Sequence, residues 1–406
     1  MQRKRLRGTS SLVVAAFVGP GTVLTCATAG IRFGYDLGWV ILFAIGATFV
    51  LQSFSAATGI LTGMGLGEAI RYYLVRPVPR FIIFSLVILG LWIGSAAFEM
   101  GNLMGAAAGI HTILQPEKTL SFSLLVLVLG ISAGLILLLR LQQVIVVLTG
   151  LVILMSMLFV LELFLLPVDW RQALAGLLLP RIPEGSLVTI VALLGTTIVT
   201  YNLFLHASAT QRFWRYAANT WGAFTSELVH MGIFLPLGGL ISYAILVTGA
   251  VLGHGGGVQV KEVADLAVLL EPVGGMGARL LFGLGLFAAG ITSAVTAPLA
   301  AASGIQELFD WQGGSRDWRF RGLWLSVLLA GIGTGLAGWN PLEAIIAAQA
   351  ANGILLPLMA GFMVYLTEKS VGSRLPGWYL KLGYVIVGVC AILGGRMLFW
   401  VWNQIA

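Results

Sequence analysis

The side chains with chemistry to offer are few and lie inside apolar stretches. Gly19-Pro20-Gly21-Thr22 sits in FVGPGTVLT (17–25), Thr200, Tyr201 and Asn202 in IVTYNLFLH (198–206), and Gln349 in AAQAANGILLPL. Glu99, Asn102, His206, Glu227 and His230 are further polar residues inside apolar stretches. Freed backbone amides and carbonyls, hydroxyls and carboxamides hold a small solute or a cation through neutral atoms; they do not make or break bonds. No nucleophile elbow, nucleotide loop or metal-ligand cluster is visible, so neither an enzyme nor a cofactor is expected, and the metal ligands are unknown.

The elements that position these residues are membrane helices. With 58% hydrophobic and 10% charged residues among 406, the chain carries more apolar surface than a soluble core can bury, since soluble domains run to about 25% charged residues. Apolar runs of about 20 residues match the hydrocarbon core, and ten-residue alternation of the barrel type is absent. About eleven spans are expected, near 11–30, 37–62, 80–110, 119–139, 143–166, 186–211, 222–252, 277–309, 321–338, 342–367 and 378–403. With the N-terminus cytoplasmic and the C-terminus on the outer side, 16 of the 23 Lys and Arg fall inside, as the positive-inside rule requires. The net charge of +7 is therefore a topology signal, and no nucleic acid partner is expected. The partners are the lipid bilayer and a small solute or divalent cation; the oligomeric state is unknown.

The chain reads as a single transmembrane domain in a cell inner (plasma) membrane. The basic start MQRKRLR and the following apolar run have features of a signal sequence, yet such a sequence does not explain Gly-Pro-Gly, and the first helix is expected to be retained. Cys26 and Cys390 are too few for a disulfide framework. The connections at 167–185, 253–276 and 310–320 are too short to fold alone, and KEVADLAVLLEP is expected as an amphipathic helix on the outer face. Gly333-Thr-Gly335-Leu-Ala-Gly338, despite its G-x-G-x-x-G spelling, follows no strand and is expected to pack helices, as is Gly101-x-x-x-Gly105.

A helix break at mid-depth leaves backbone groups that hydrocarbon cannot satisfy, so it is tolerated where it lines a polar cavity. The breaks near 19 and 200 lie five spans apart. Broken helices at matching positions of two five-helix halves mark an inverted-repeat transporter with its substrate between them. The halves are expected at 11–166 and 186–367, with 378–403 an additional helix.

GPGTVLTCATAGIRFGYDLGWV, LQSFSAATGILTGMGLGEAIR, GNLMGAAAGI, GTTIVTYNLFLHASATQ, FGLGLFAAGITSAVTAPLAAASG and AAQAANGILLPL together resemble, in order and over nearly the whole chain, the Nramp family of divalent metal transporters. The resemblance implies the LeuT-like five-plus-five fold with helices 1 and 6 broken, transport by alternating access, and protons as the usual driving ion. The family's metal ligands do not carry over. Its first-helix Asp-Pro-Gly-Asn meets Gly19-Pro20-Gly21-Thr22, and its sixth-helix Met-Pro-His meets Val199, Thr200 and Tyr201. His206 matches a second sixth-helix His of the family, Gln349 a Gln near the ion site, and Glu99 with Asn102 an acidic pair of the third helix.

Mn²⁺ or Fe²⁺ is disfavoured by such a set, because stripping a divalent ion of water calls for anionic oxygen or soft ligands. Three readings follow: a hard, hydrated cation such as Mg²⁺ held by break carbonyls, Asn202, Gln349 and Glu99; an organic solute whose carboxylate, as in an amino acid, meets the N–H groups of a half-helix; and a non-transporting sensor or scaffold. Glu99 at membrane depth is a candidate for an ion or proton path. His206 is a candidate proton shuttle or a hydrogen-bond partner of a neighbouring helix. Glu227 and His230, three apart on one helix face, are expected as a structural pair near the inner surface, with a proton path as the lesser role.

Overall fold

The computed structural model describes residues 8–74, 77–114, 121–253, 263–337 and 341–405. The basic segment 1–7 and the glycine-rich segment 254–260 lie outside the described residues, as does Gly338.

Proline at the first helical position and an extended glycine before it divide the first span into α1 (Ser10–Phe17) and α2 (Pro20–Phe33), bent by 59°. The second is α3 (Gly38–Ala57), closed by a π turn (Thr58–Thr62) that ends at Gly63 in the left-handed region. After the short α4 (Leu66–Tyr73) come α5 (Pro77–Leu114), α6 (Phe122–Leu137) and α7 (Leu141–Leu163). The connection at 167–185, expected as a loop, contains α8 (Trp170–Leu178), because Asp169 caps it by accepting from the amides of Arg171 and Gln172. The sixth span divides into α9 (Leu187–Thr197) and α10 (Thr200–Phe213), followed by α11 (Thr220–Gly253), α12 (Val263–Phe309), α13 (Trp318–Leu336), α14 (Pro341–Val371) and α15 (Gly377–Ile405).

Each expected span coincides with a helix or a helix pair. Among the described residues seven helices are long and apolar enough to cross a membrane, eight when the bent pair α1 and α2 counts as one span, and α6 is a shorter apolar helix. One expectation is corrected. KEVADLAVLLEP does not form a separate surface helix: from Val263 it runs unbroken into the eighth span. At 47 residues α12 is far longer than a crossing of about 30 Å needs, so its first turns extend beyond the apolar layer.

Helix α1 is buried on every side, from Ser10 to Phe17, as a helix apolar all round should be. The second half-helix α2 packs on α11 with almost no side chain between them: a Cβ on Gly30 would stand 2.0 Å from the Leu246 carbonyl oxygen. Such backbone contact is how helices adhere where lipid is as apolar as leucine. Gly105 receives the ring of Pro20, so half of Gly101-x-x-x-Gly105 serves the first break. The other glycine motif is only partly a packing device, because Gly333 meets nothing and Gly335 meets Val126, while the tight approach falls on Gly331.

Candidate functional site

A helix ends with carbonyls that have no partner of their own, and at mid-membrane each must be satisfied from elsewhere. The end of α1 can be accounted for residue by residue. Val14 receives the amide of Val18 at 2.9 Å. Ala15 receives the hydroxyl of Ser293 on α12 at 3.0 Å. Ala16 receives the hydroxyl of Tyr201 on α10 at 3.3 Å. Phe17 receives the amide of Gly19 at 3.0 Å and the hydroxyl of Thr22. One turn back, Asn202 Nδ2 donates to the Val13 carbonyl at 2.9 Å. The two breaks therefore meet, and side chains of the second close the first.

The second break is closed by α14. Asn352 Nδ2 donates to Gly195 O at 2.7 Å and Ile198 O at 3.2 Å, while its Oδ1 accepts from the Thr200 hydroxyl at 2.6 Å. Three residues earlier on the same helix, Gln349 Oε1 accepts from Thr25 of α2 at 2.6 Å. Helix α14 thus holds both broken spans through adjacent positions of one face.

The expected residues fall into two groups. Gly19, Thr22, Tyr201, Asn202 and Asn102 come together at the first break, with Thr200 and Gln349 joined to it through α14; Gly21 is half-buried on α2. Asn102 lies with its Oδ1 3.3 Å from where a Cβ on Gly19 would be. Glu99, one turn earlier on α5, is fully buried against Gly331 of α13. Asn202 Oδ1 and Gln349 Nε2 in this group make no hydrogen bond, and the Glu99 carboxyl has the side chain of Asn102 beside it.

The second group stands at the opposite end of α1. Glu227 accepts from the amide of Thr9 at 2.9 Å, the hydroxyl of Ser10 at 2.8 Å and the indole of Trp214 at 2.8 Å, and pairs with His206 Nε2 at 3.3 Å. His230 Nδ1 accepts from the Ser10 amide at 3.2 Å, and His206 Nδ1 faces Gln52 Oε1 at 3.1 Å. Glu227 and His230 are thus more than a pair on one helix face. They form a latch that caps the α1 N-terminus, where a carboxylate is well placed against the exposed amides and the helix dipole.

On the latch side a cavity of about 960 Å³ lies among the C-terminal ends of α3, α10 and α12, lined by Glu68, Arg212, Gln306, Glu307 and Trp311 among others. Gly19, Thr22, Tyr201 and Asn202 do not line it, and the last three are at most 2% exposed. Between the breaks the side chains that cap them are themselves buried.

Among the described residues no three His, Cys, Asp or Glu side chains gather where they could hold a metal ion. The sequence reading missed Ser293 and Asn352. Asn352 carried a usable signal, three residues after Gln349 on the same face, whereas Ser293 stands among Thr292 and Thr296 with nothing to distinguish it.

A model of the family described as natural resistance-associated macrophage protein-like matches residues 10–400. The chain belongs to the Nramp family. A divalent metal cation transporter, MntH, from Verminephrobacter eiseniae is 29% identical over 95% of this chain and 86% of its own. MntH from Klebsiella pneumoniae is 28% identical over 97% of this chain and 93% of its own. The manganese transporter of Eremococcus coleocola superposes with a TM-score of 0.78 at 19% identity, covering 97% of this chain and 86% of that one. A nucleobase-cation-symport-1 family transporter superposes with a TM-score of 0.65 at 14% identity, over 98% and 93% of the two chains. At such identities the superpositions speak to the fold, which this Nramp member shares with both.

Proposed function

We propose that this Nramp-family protein carries a divalent metal cation across a cell inner membrane by alternating access, and that its cargo is a hard, largely hydrated ion such as Mg²⁺ in preference to Mn²⁺ or Fe²⁺. Family membership and the naming of relatives as divalent metal cation transporters support a cation. The choice of ion rests on one observation: the α1 carbonyls of Ala15, Ala16 and Phe17 are held by hydroxyl groups and an amide, and no carboxylate, thioether or imidazole is bonded to them.

Neutral oxygens bind a cation without displacing its whole water shell, and Mg²⁺ dehydrates reluctantly. In the occupied state the ion and its water take the place of the Tyr201 and Thr22 hydroxyls at these carbonyls. Asn202 and Gln349 then complete the surroundings with the amide atoms that are now unpartnered, and Glu99 supplies the nearby negative charge. The halves at 11–166 and 186–367 rock around this point, and the latch at Glu227, His206 and His230 opens the inner side. The N-terminus is cytoplasmic and the C-terminus outside.

A carboxylate-bearing solute has less to meet. Gly19 N is already spent on Phe17, and Pro20 has no N–H, so the α2 end offers fewer amides than a helix N-terminus normally would.

Uptake by the purified full chain in liposomes tests the proposal. Entry of Mg²⁺ above the level of protein-free vesicles is expected, with Mn²⁺ slower and amino acids excluded. Amino-acid uptake without cation uptake refutes it, and uptake of neither leaves the protein a non-transporting relative.

A further inference from the structure

The backbone at Gly19 is extended, with φ −110° and ψ 179°, a conformation open to any residue. Glycine is therefore not needed there for its dihedral freedom. What requires it is space: a Cβ on residue 19 would stand 2.7 Å from Ser293 Oγ, 3.3 Å from Ser293 Cβ and 3.3 Å from Asn102 Oδ1.

We propose that Ser293, backed by Asn102, is a specificity-determining residue of the cargo site, filling with neutral oxygen the volume that an anionic side chain at position 19 would occupy. This deepens the cation reading and rests on it. Ser293 is 1% exposed and its hydroxyl donates to the Ala15 carbonyl at 3.0 Å. The flanking Thr292 and Thr296 bond back to their own helix, at Ala289 O and Ser293 O, so of the three hydroxyls only that of Ser293 reaches the broken span. Asn102 is 4% exposed and lies beside the Glu99 carboxyl.

The two wall residues stand on helices that are in direct contact. At Gly290 the backbones of α12 and α5 are in contact, with Asn102 O only 2.7 Å from where a Cβ would be. A side chain at position 19 must therefore push the Ser293 hydroxyl off Ala15, leaving a buried carbonyl without a donor at a cost of about 1–3 kcal/mol. The serine keeps a carboxylate from reaching the α1 carbonyls directly, and carbonyls without an anionic ligand among them refuse an ion that must be stripped of its water.

The test is Mn²⁺ titration calorimetry on the purified full chain as wild type, S293A, G19D and G19D/S293A. Wild type and S293A are expected to bind Mn²⁺ no tighter than millimolar, and the double variant at least about tenfold tighter than G19D, a difference of about 1.4 kcal/mol. Equal Mn²⁺ affinity in G19D and in a folded double variant overturns the proposal. Should the double variant fail to fold, thermal unfolding of G19A, S293A and G19A/S293A decides. A smaller loss in the double than the sum of the singles supports the steric wall, and additive losses overturn it. Absence of Mg²⁺ uptake by the wild type would sink the transport reading while leaving this coupling between positions 19 and 293 to stand or fall by itself.

Discussion

The Tyr201 hydroxyl donates to the Ala16 carbonyl at 3.3 Å, and the neighbouring Asn202 amide donates to Val13 at 2.9 Å. Adjacent residues of one broken span therefore hold the end of the other. The ring of Tyr201 is itself fixed edge-on against Phe98, with centroids 5.7 Å apart. Any state that admits cargo at the α1 carbonyls must first part these contacts.

Tyr201→Phe removes the hydroxyl and leaves the ring. With the Ala16 carbonyl unsatisfied, the cation-free protein should lose about 1–3 kcal/mol of stability. Because that carbonyl is then free for cargo, Mg²⁺ should raise the unfolding temperature of the variant by more than it raises that of the wild type. Thermal unfolding with and without Mg²⁺ reads both effects. A loss of stability with no added response to Mg²⁺ would make Tyr201 a packing residue alone.

Asn352→Leu strips donors from two carbonyls and an acceptor from Thr200, whereas Gln349→Leu loses a single bond to Thr25. The first variant should therefore unfold at the lower temperature, by a margin corresponding to about 1–3 kcal/mol. Equal unfolding temperatures would contradict the account of the second break.

Glu227→Gln keeps the shape of the latch and weakens its charge-assisted bonds to Thr9, Ser10 and Trp214. Ser10 is fully buried, so a cysteine placed there reports opening of the N-terminal end of α1. Thiol labelling of S10C should speed up by about tenfold when Glu227→Gln is added, the equivalent of about 1.4 kcal/mol. An unchanged rate would show that the latch does not hold α1 shut.

Glu99→Gln keeps the shape of a buried carboxyl that has the Asn102 amide beside it and removes its charge. A glutamine can still meet that amide, so the unfolding temperature should hold or rise, while Mg²⁺ uptake should fall by about tenfold or more if Glu99 supplies charge to the path. A large loss of stability with normal uptake would mark Glu99 as structural.

The spans and both breaks were legible because bilayer thickness, charge bias and Gly-Pro-Gly each leave a local trace. The Pro20 start of α2 and the polar run Thr200-Tyr201-Asn202 each begin immediately after the observed break points at 18–19 and 198–199. What satisfies the breaks was not legible. Ser293 reaches α1 across 278 positions of sequence, and a serine in a small-residue helix has no periodicity that says which way it points. The role of Glu227 was hidden likewise: its spacing to His230 was visible, but its chief partners, Thr9 and Ser10, lie 218 and 217 positions away. The α8 turn and the continuity of α12 were missed for a local reason, since polar connecting sequence is compatible with helix when a cap or a neighbouring span supports it.

The central claim is that a break whose α1 carbonyls meet only neutral groups declines a stripped transition-metal ion. Titration of the purified full chain with Mn²⁺, in parallel with Mg²⁺, tests it most directly. The account predicts Mn²⁺ binding that is undetectable or no tighter than millimolar; micromolar Mn²⁺ affinity, lost in Asn202→Ala, would contradict it.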